Sequence, residues 1–229
     1  MFRKISGIVI AVLIAATIPS YAAPTNSLAV VKTIPADQDV AGMLVGDNAI
    51  YLFGNTPTGG YLTALNRDGS QKWLHTLTDQ LEFTITAGAL DANGNIWLAG
   101  DSAALTSSET ATTQLPPDNP DGVVVEPQSN VRNDMNQLTV WKVSPLGDLI
   151  ATYTLSQKTP PLVNAISVNS SGASLVGQIA DKPYVISVSA TGTFGKLINV
   201  GTSKTQLNAV NRNSDGSASV FGSSSEILG

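Results

Sequence analysis

The feature that most constrains this chain is a strand–turn–strand pattern that ends in glycine and recurs along the sequence. In each copy an apolar stretch leads into a polar turn, and a second apolar stretch closes on glycine, at positions 43–54, 89–100, 166–177 and 210–222. The spacings between successive closing glycines are 100 − 54 = 46, 177 − 100 = 77 and 222 − 177 = 45. A period of about 45 residues that holds several short apolar stretches is typical of an all-β, propeller-like array of blades.

A second glycine, in a later turn, accounts for the one long spacing. It stands at Gly69, Gly147 and Gly192, and its spacings from the closing glycines of the first three copies are 69 − 54 = 15, 147 − 100 = 47 and 192 − 177 = 15. The second copy is therefore longer by 47 − 15 = 32, which we assign to an inserted loop at 102–133. Each copy has room for four short strands. The sequence thus predicts about three complete four-stranded blades plus a truncated fourth.

Two segments resemble the repeats of known families. The segment 89–100, ALDANGNIWLAG, resembles the strand–turn–strand core of bacterial β-propeller repeat families, including NHL-like and SBBP-type repeats. The segment 65–73, LNRDGSQKW, is similar to the outer hairpin of PQQ-binding-type blades. The resemblance implies blades over most of 37–222, apart from the insertion. These families host binding proteins, sensors, lyases and quinoproteins, so the resemblance implies a fold and no particular activity.

The fourth copy stops in mid-blade, shortly after Gly222. A strand edge without a partner favours pairing with another strand. We expect the segment Leu28 to Ile34 to form a β-strand, paired to the fourth copy if the ring closes within the chain. Two alternatives stay open at this point. One is an open arc that forms a homo-oligomer through its open blade edge, and the other is a truncated propeller.

The segment 1–22 has the pattern of a signal peptide. Arg3 and Lys4 precede an apolar run over 8–18, and small residues at Ser20 and Ala22 fit a cleavage site after Ala22. We therefore expect a secreted or extracytoplasmic protein whose domain spans 23–229, without membrane association after cleavage. The alternative is a leader that is retained as an N-terminal anchor.

Composition excludes several classes of function. Without Arg3 and Lys4 the chain has 12 − 2 = 10 basic and 17 acidic residues, and this negative charge argues against nucleic-acid partners. There is no cysteine, so thiol catalysis and cysteine–zinc sites are excluded, and His75 is the single histidine. No nucleophile-elbow, phosphate-loop or dinucleotide motif is present. We assign no catalytic residue, no metal and no cofactor.

Acidic residues near the predicted strand ends form the candidate ligand-binding site. If the propeller resemblance holds, the insertion and the connections into each blade emerge on one face, where Asp37 and Asp39 also lie. The candidate ligand-binding residues are Asp79, Glu82, Asp101, Asp118, Asp121 and Asp134.

The favoured function is a non-enzymatic scaffold or binding module for an unknown protein or carbohydrate ligand. The alternative is a carbohydrate-active enzyme, a glycoside hydrolase or lyase, that uses carboxylates of this face. Trp97, in the second strand of the most regular copy, is expected to be buried between blades.

Overall fold

The structure is a computed structural model. It describes residues 11–12, 30–31, 35, 37–57, 59–77, 82–103 and 135–225. Within these residues the regular secondary structure is entirely β-strand. No helix in this part of the chain is long and apolar enough to cross a membrane.

Each repeat folds as an antiparallel sheet in which every strand pairs with its neighbours in the chain. The first blade contains β3 (Asp39–Val45), β4 (Ile50–Thr56), β5 (Gly59–Leu65) and β6 (Gln71–Leu77). The second contains β7 (Phe83–Leu90), β8 (Ile96–Ser102), β9 (Gln137–Val143) and β10 (Leu149–Ser156). The third contains β11 (Pro161–Asn169), β12 (Gly172–Ile179), β13 (Lys182–Ser189) and β14 (Ile198–Asn199). The fourth contains β15 (Thr205–Arg212) and β16 (Ala218–Ser224). The predicted fold, three complete blades and a truncated fourth, is confirmed.

The N-terminal strand pairs differently from the prediction. The described part of the segment Leu28 to Ile34 is β2 (Val30–Val31), and the rest of that segment lies outside the described residues. β2 pairs antiparallel with β1 (Ala11–Val12), with Ala11 opposite Val31. In the described part of the chain the fourth blade contains only β15 and β16.

The closing glycine of each repeat is required by a bulge in the strand beside it. The first strand of every blade has an extra residue at the same position, namely Ala41, Thr86, Asn164 and Asn208. The bulge directs a backbone carbonyl at the closing glycine of the second strand. A Cβ at Gly100 would overlap the carbonyl oxygen of Thr84, and the other three closing glycines face the same overlap. Only glycine fits there, because it has no Cβ.

The blades pack face to face, and the two largest clusters of buried side chains lie between them. Tyr51 and Phe53 of the first blade pack with Ile85 and Trp141 of the second. Trp97 packs between the second and third blades and is 1 % exposed, so its predicted burial is confirmed. The first strands β3, β7, β11 and β15 lie side by side. They form the inner edge of the array.

The contact between the third and fourth blades is polar and centres on Arg212. Its guanidinium donates hydrogen bonds to Asn169 Oδ1 (3.1 Å), Ser171 Oγ (2.9 Å), the carbonyl of Ala173 (3.0 Å) and Ser174 Oγ (2.9 Å). Partial burial lowers the pKa of this guanidinium. Arg212 therefore attaches the two-stranded fourth blade to the first hairpin of the third.

Candidate functional site

One end of the blades gathers the candidate binding residues. The first strands of neighbouring blades lie side by side, so their starts, at Asp39, Phe83, Pro161 and Thr205, share one end of the array. The second strands run antiparallel to them and finish at the same end. We call this end of the blades the loop face.

The connections between second and third strands differ greatly in length across the loop face. Thr56 pairs with Gly59 and Ile179 with Lys182, which leaves a two-residue turn in each case. Ser102 pairs with Gln137, so the connection of the second blade runs over the whole of 103–136. Its excess over the two short turns equals the size of the predicted insertion. Ser102, the first residue of the predicted insertion, is the last residue of β8, and residues 104–134 lie outside the described part.

The ends of this long connection are fixed in the sheet. Ser102 and Thr139 are fully buried, and their hydroxyl oxygens are 2.7 Å apart in a hydrogen bond. The amide of Ala103 donates to the carbonyl of Glu82 at 2.8 Å. The strands β8 and β9 are therefore held together at the point where the connection leaves the blade.

Two of the six predicted ligand-binding residues are described, and both lie on the loop face of the second blade. Glu82 precedes β7, and Asp101 is the next-to-last residue of β8. Asp79, Asp118, Asp121 and Asp134 lie outside the described residues. Among the described residues no group of three or more acids and histidines is placed to hold a metal ion.

Asp101 is the described carboxyl with a raised pKa. Burial raises the pKa of Asp101 to about 6, since the charged form loses hydration there. The side chain lies near Tyr184 of the third blade, whose pKa is raised by its own burial and then by the charge of Asp101. The Tyr184 hydroxyl donates to the carbonyl of Leu162 at 3.3 Å. Asp101 therefore lies at the contact between two blades.

Asn55 in the first blade belongs to the same end of the array, although the sequence alone does not indicate it. It follows closing Gly54 as Asp101 follows Gly100. Its side-chain amide donates to the carbonyl of Ile85 at 2.9 Å, and its Oδ1 accepts from the amide of Ile85 at 2.8 Å. The signal that could have found it is the polar residue after each closing glycine: Asn55, Asp101, Gln178 and Ser223. An ionised aspartate cannot donate a hydrogen bond as Asn55 does.

A shallow polar depression lies on the loop face of the first blade. It has a volume of about 340 Å³ and is lined by Asp37, Gln38, Asp39, Asn55, Thr56 and Pro57. Burial, and then the charge of Asp39, raises the pKa of Tyr61 beside it. The lining offers carboxylate and amide groups that bind hydroxyls, amides or cations. The residues that line the depression include neither histidine nor serine.

Comparisons with known proteins support the fold alone. No family model matches the chain, and no characterised protein matches its sequence significantly. A Bacteroides caccae protein of unknown function, known from a crystal structure, is similar at 10 % identity and a TM-score of 0.51, over 84 % of this chain and 56 % of that one. The fold is a propeller-like array.

The WD40 domain of Neurospora crassa Pan2 is similar at 10 % identity and a TM-score of 0.45, over 83 % of this chain and 49 % of that one. The chain thus spans about half the length of both solved structures.

Proposed function

We propose that this chain is a secreted, non-enzymatic scaffold or binding module that binds a protein or carbohydrate ligand with its loop face. The observation that carries the proposal is the long connection of the second blade, whose ends pair directly at Ser102 and Gln137. The pairing of β8 with β9 in the second blade does not use residues of the connection, so the sheet is continuous without them. Long connections presented by a rigid β scaffold are common sites of binding.

The chemistry of the loop face fits a polar ligand. Asp37, Asp39 and Asn55 line the depression of the first blade, and Asp101 lies on the next blade. Carboxylates and amides form hydrogen bonds with sugar hydroxyls and with peptide groups. The excess of 17 acidic over 12 basic residues favours neutral or cationic ligands over anionic ones.

We also propose that the blades belong with the NHL-like, SBBP-type and PQQ-binding-type repeats. The two segments that carry this resemblance fall on hairpins: 89–100 contains the end of β7, the turn and most of β8, and 65–73 spans the β5–β6 turn. Secretion rests on the sequence of residues 1–22. Amino-terminal sequencing of the protein recovered outside the producing cell should begin at Ala23, and a chain that begins at Met1 would contradict secretion by cleavage.

The enzymatic alternative has one observation in its favour, the raised pKa of Asp101. A carboxyl with a pKa of about 6 is suited to general acid catalysis near neutral pH. Glycoside hydrolysis also needs a second carboxylate about 5–10 Å away. Asp101 is placed against Tyr184 of the neighbouring blade. Burial at this contact between blades accounts for the raised pKa of Asp101 without a catalytic role, so the enzyme is the second candidate.

The test is a deletion of residues 103–136, replaced by an Asn-Gly turn like the two-residue turns of the other blades. Wild type and deletion variant are compared by affinity electrophoresis in gels containing dextran, starch, xylan, alginate or polygalacturonate. We expect retardation of the wild type by at least one polysaccharide, and none for the variant, with unchanged β-type circular dichroism. No retardation of the wild type would refute a carbohydrate ligand.

The same samples separate binding from catalysis. Incubation with each polysaccharide should release neither reducing ends nor unsaturated products. Product release by the wild type that is lost in Asp101→Asn would refute the non-enzymatic proposal and support the enzyme. Equal retardation of wild type and deletion variant would show that the long connection is not the binding element.

A further inference from the structure

Charged side chains on the loop face are divided by sign between the two halves of the array. Within the described part of the chain, the loop face of the first two blades carries no base and four acids: Asp37, Asp39, Glu82 and Asp101. The loop face of the third and fourth blades has Asp181 as its described acid and carries the lysines Lys158, Lys182 and Lys204. We call these two regions the acidic half and the basic half of the loop face.

The strand pairing places the three lysines at one end of two neighbouring blades. Lys158 lies in the connection that enters β11, and Lys204 directly precedes β15. Lys182 begins β13 and pairs with Ile179, which pairs in turn with Pro161 at the start of β11. β15 packs on β11. Neighbouring strands are about 5 Å apart and packed sheets about 10 Å apart, so the three lysines lie in one area.

The charges of both halves are open to a partner. All three lysines of the basic half are exposed, and no hydrogen bond or ion pair among the described residues engages their ammonium groups. At the opposite end of the first blade, by contrast, the Arg67 and Lys72 side chains donate to backbone carbonyls at 2.9 Å and 2.7 Å. In the acidic half, Asp37 and Asp39 are exposed and line the polar depression.

The turn that leads into Lys182 has a backbone conformation that is costly for its residues. Ala180 (φ 48°) and Asp181 (φ 59°) are the residues other than glycine with positive φ in the described part of the chain. Two-residue turns of this kind favour asparagine and glycine, because a Cβ is unfavourable in the left-handed conformation. Residues in such conformations cluster at functional sites. The turn therefore supports a binding role for this part of the basic half.

A partner that covers the loop face meets charges of both signs. An anionic polymer is attracted by the basic half and repelled by the acidic half, and a cationic polymer experiences the reverse. At physiological salt, charges act over about 8 Å, and packed sheets are about 10 Å apart, so each half acts on the part of the partner directly above it. Polysaccharides are commonly neutral or carry charges of one sign, whereas polypeptides carry both signs in a fixed order. The division of charge therefore favours a polypeptide.

We propose that the loop face binds a polypeptide partner whose positively charged part lies on the acidic half and whose negatively charged part lies on the basic half. This inference rests on the proposed function and selects the protein ligand over the carbohydrate ligand. The two charge contacts also fix the direction in which the partner crosses the blades, because the reversed placement would bring like charges together.

Synthetic peptides test the proposed division of charge. The two-block peptide carries about six lysines and about six glutamates on a Gly/Ser linker of about 12 residues, whose r.m.s. length of about 20 Å equals about two blade spacings. Two control peptides of the same length carry the lysine block alone or the glutamate block alone. We expect fluorescence anisotropy with the full chain to give the two-block peptide a dissociation constant at least ~10-fold below either control, because both blocks act in one molecule. In ~1 M salt, where charges act over about 3 Å, this preference should disappear.

Substitution of the lysines shows whether the basic half provides the preference. The basic-half variant combines Lys158→Gln, Lys182→Gln and Lys204→Gln. It should bind the two-block peptide no more tightly than the lysine-block peptide. The control variant makes the same change in net charge at exposed positions away from the loop face and combines Arg67→Gln, Lys72→Gln and Lys196→Gln. It should keep the ~10-fold preference of the wild type.

The outcomes separate this inference from the proposed function. Equal binding of the two-block and lysine-block peptides by the wild type would overturn the inference, as would equal losses in the two triple variants. Failure of every peptide to bind would overturn it as well. If a polysaccharide retards the wild type in the gels described above while no peptide preference is seen, the inference fails and the binding module stands. If neither peptides nor polysaccharides bind, both fail.

Discussion

Asp101→Asn should make the protein more stable at neutral pH, although it alters a residue of the candidate site. The folded protein raises the pKa of Asp101 from 3.8 to about 6, because the carboxyl is partly buried between two blades. Asparagine at this position carries no charge. Asn55 shows that an asparagine after the closing glycine forms two hydrogen bonds with the next blade.

The size of the effect follows from the two pKa values. Each pH unit between them corresponds to about 1.36 kcal/mol, so the charged carboxyl costs the folded state at most about 3 kcal/mol at pH 7. Below pH 3.8 the carboxyl is protonated in both states and this cost is absent. Between pH 3.8 and about 6 the folded state binds more protons than the unfolded chain, so stability falls as the pH rises. Above that window the cost is constant.

Urea unfolding of wild type and Asp101→Asn, followed by the fluorescence of buried Trp97 and Trp141, measures this difference. The gain in unfolding free energy from the substitution should be near zero at pH 3.5 and should grow to about 1–3 kcal/mol by pH 7. Asp181→Asn, at an exposed turn, is the matched control for the substitution itself. A gain that is independent of pH, or a loss at pH 7, would refute the reasoning.

Two further predictions concern packing. Trp97→Ala should lower the unfolding free energy by ~3–5 kcal/mol in urea titrations, and a loss below ~1 kcal/mol would contradict its burial. Gly177→Ala should cost at least ~2 kcal/mol, since a Cβ there overlaps the Leu162 carbonyl. Gly46→Ala, whose Cβ would have its nearest neighbour at 3.3 Å, is the control for Gly177 and should cost less than ~1 kcal/mol in the same assay. Equal losses at the two glycines would contradict the role of the bulge.

The fold could be predicted from the sequence because one backbone device marks every repeat. The bulge requires a glycine at a fixed place, and a glycine is visible in a sequence while a bulge is not. Two of the closing glycines, Gly54 and Gly100, are enough to set the period of the repeat. The glycines of the later turns then reveal the insertion in the second copy. The sequence did not predict the pairing of Val30–Val31 with Ala11–Val12, because a short apolar segment does not specify the strand with which it pairs.

The candidate site was harder to predict from the sequence, because its properties depend on packing between blades. Asp101 was selected as one acid among several, but its raised pKa depends on burial against the next blade, whose Tyr184 is distant in the sequence. Asn55 has the same position and was missed, since a single polar residue in a strand has no distinctive pattern. Arg212 likewise reads as a surface cation, and only the packing of the fourth blade on the third surrounds it with acceptors.

The unequal connections also set the order in which strands can pair during folding. Most strand pairs are joined by short turns, so their closure is a local event, whereas β8 and β9 meet only when the whole of 103–136 forms a loop. Loop-closure entropy rises by about 0.6 kcal/mol per doubling, so this pairing costs about 2–3 kcal/mol more than a two-residue turn. The parts of the chain before and after the connection can therefore acquire their hairpins independently. The β8–β9 pairing, in the middle of the second blade, is the late step that unites them.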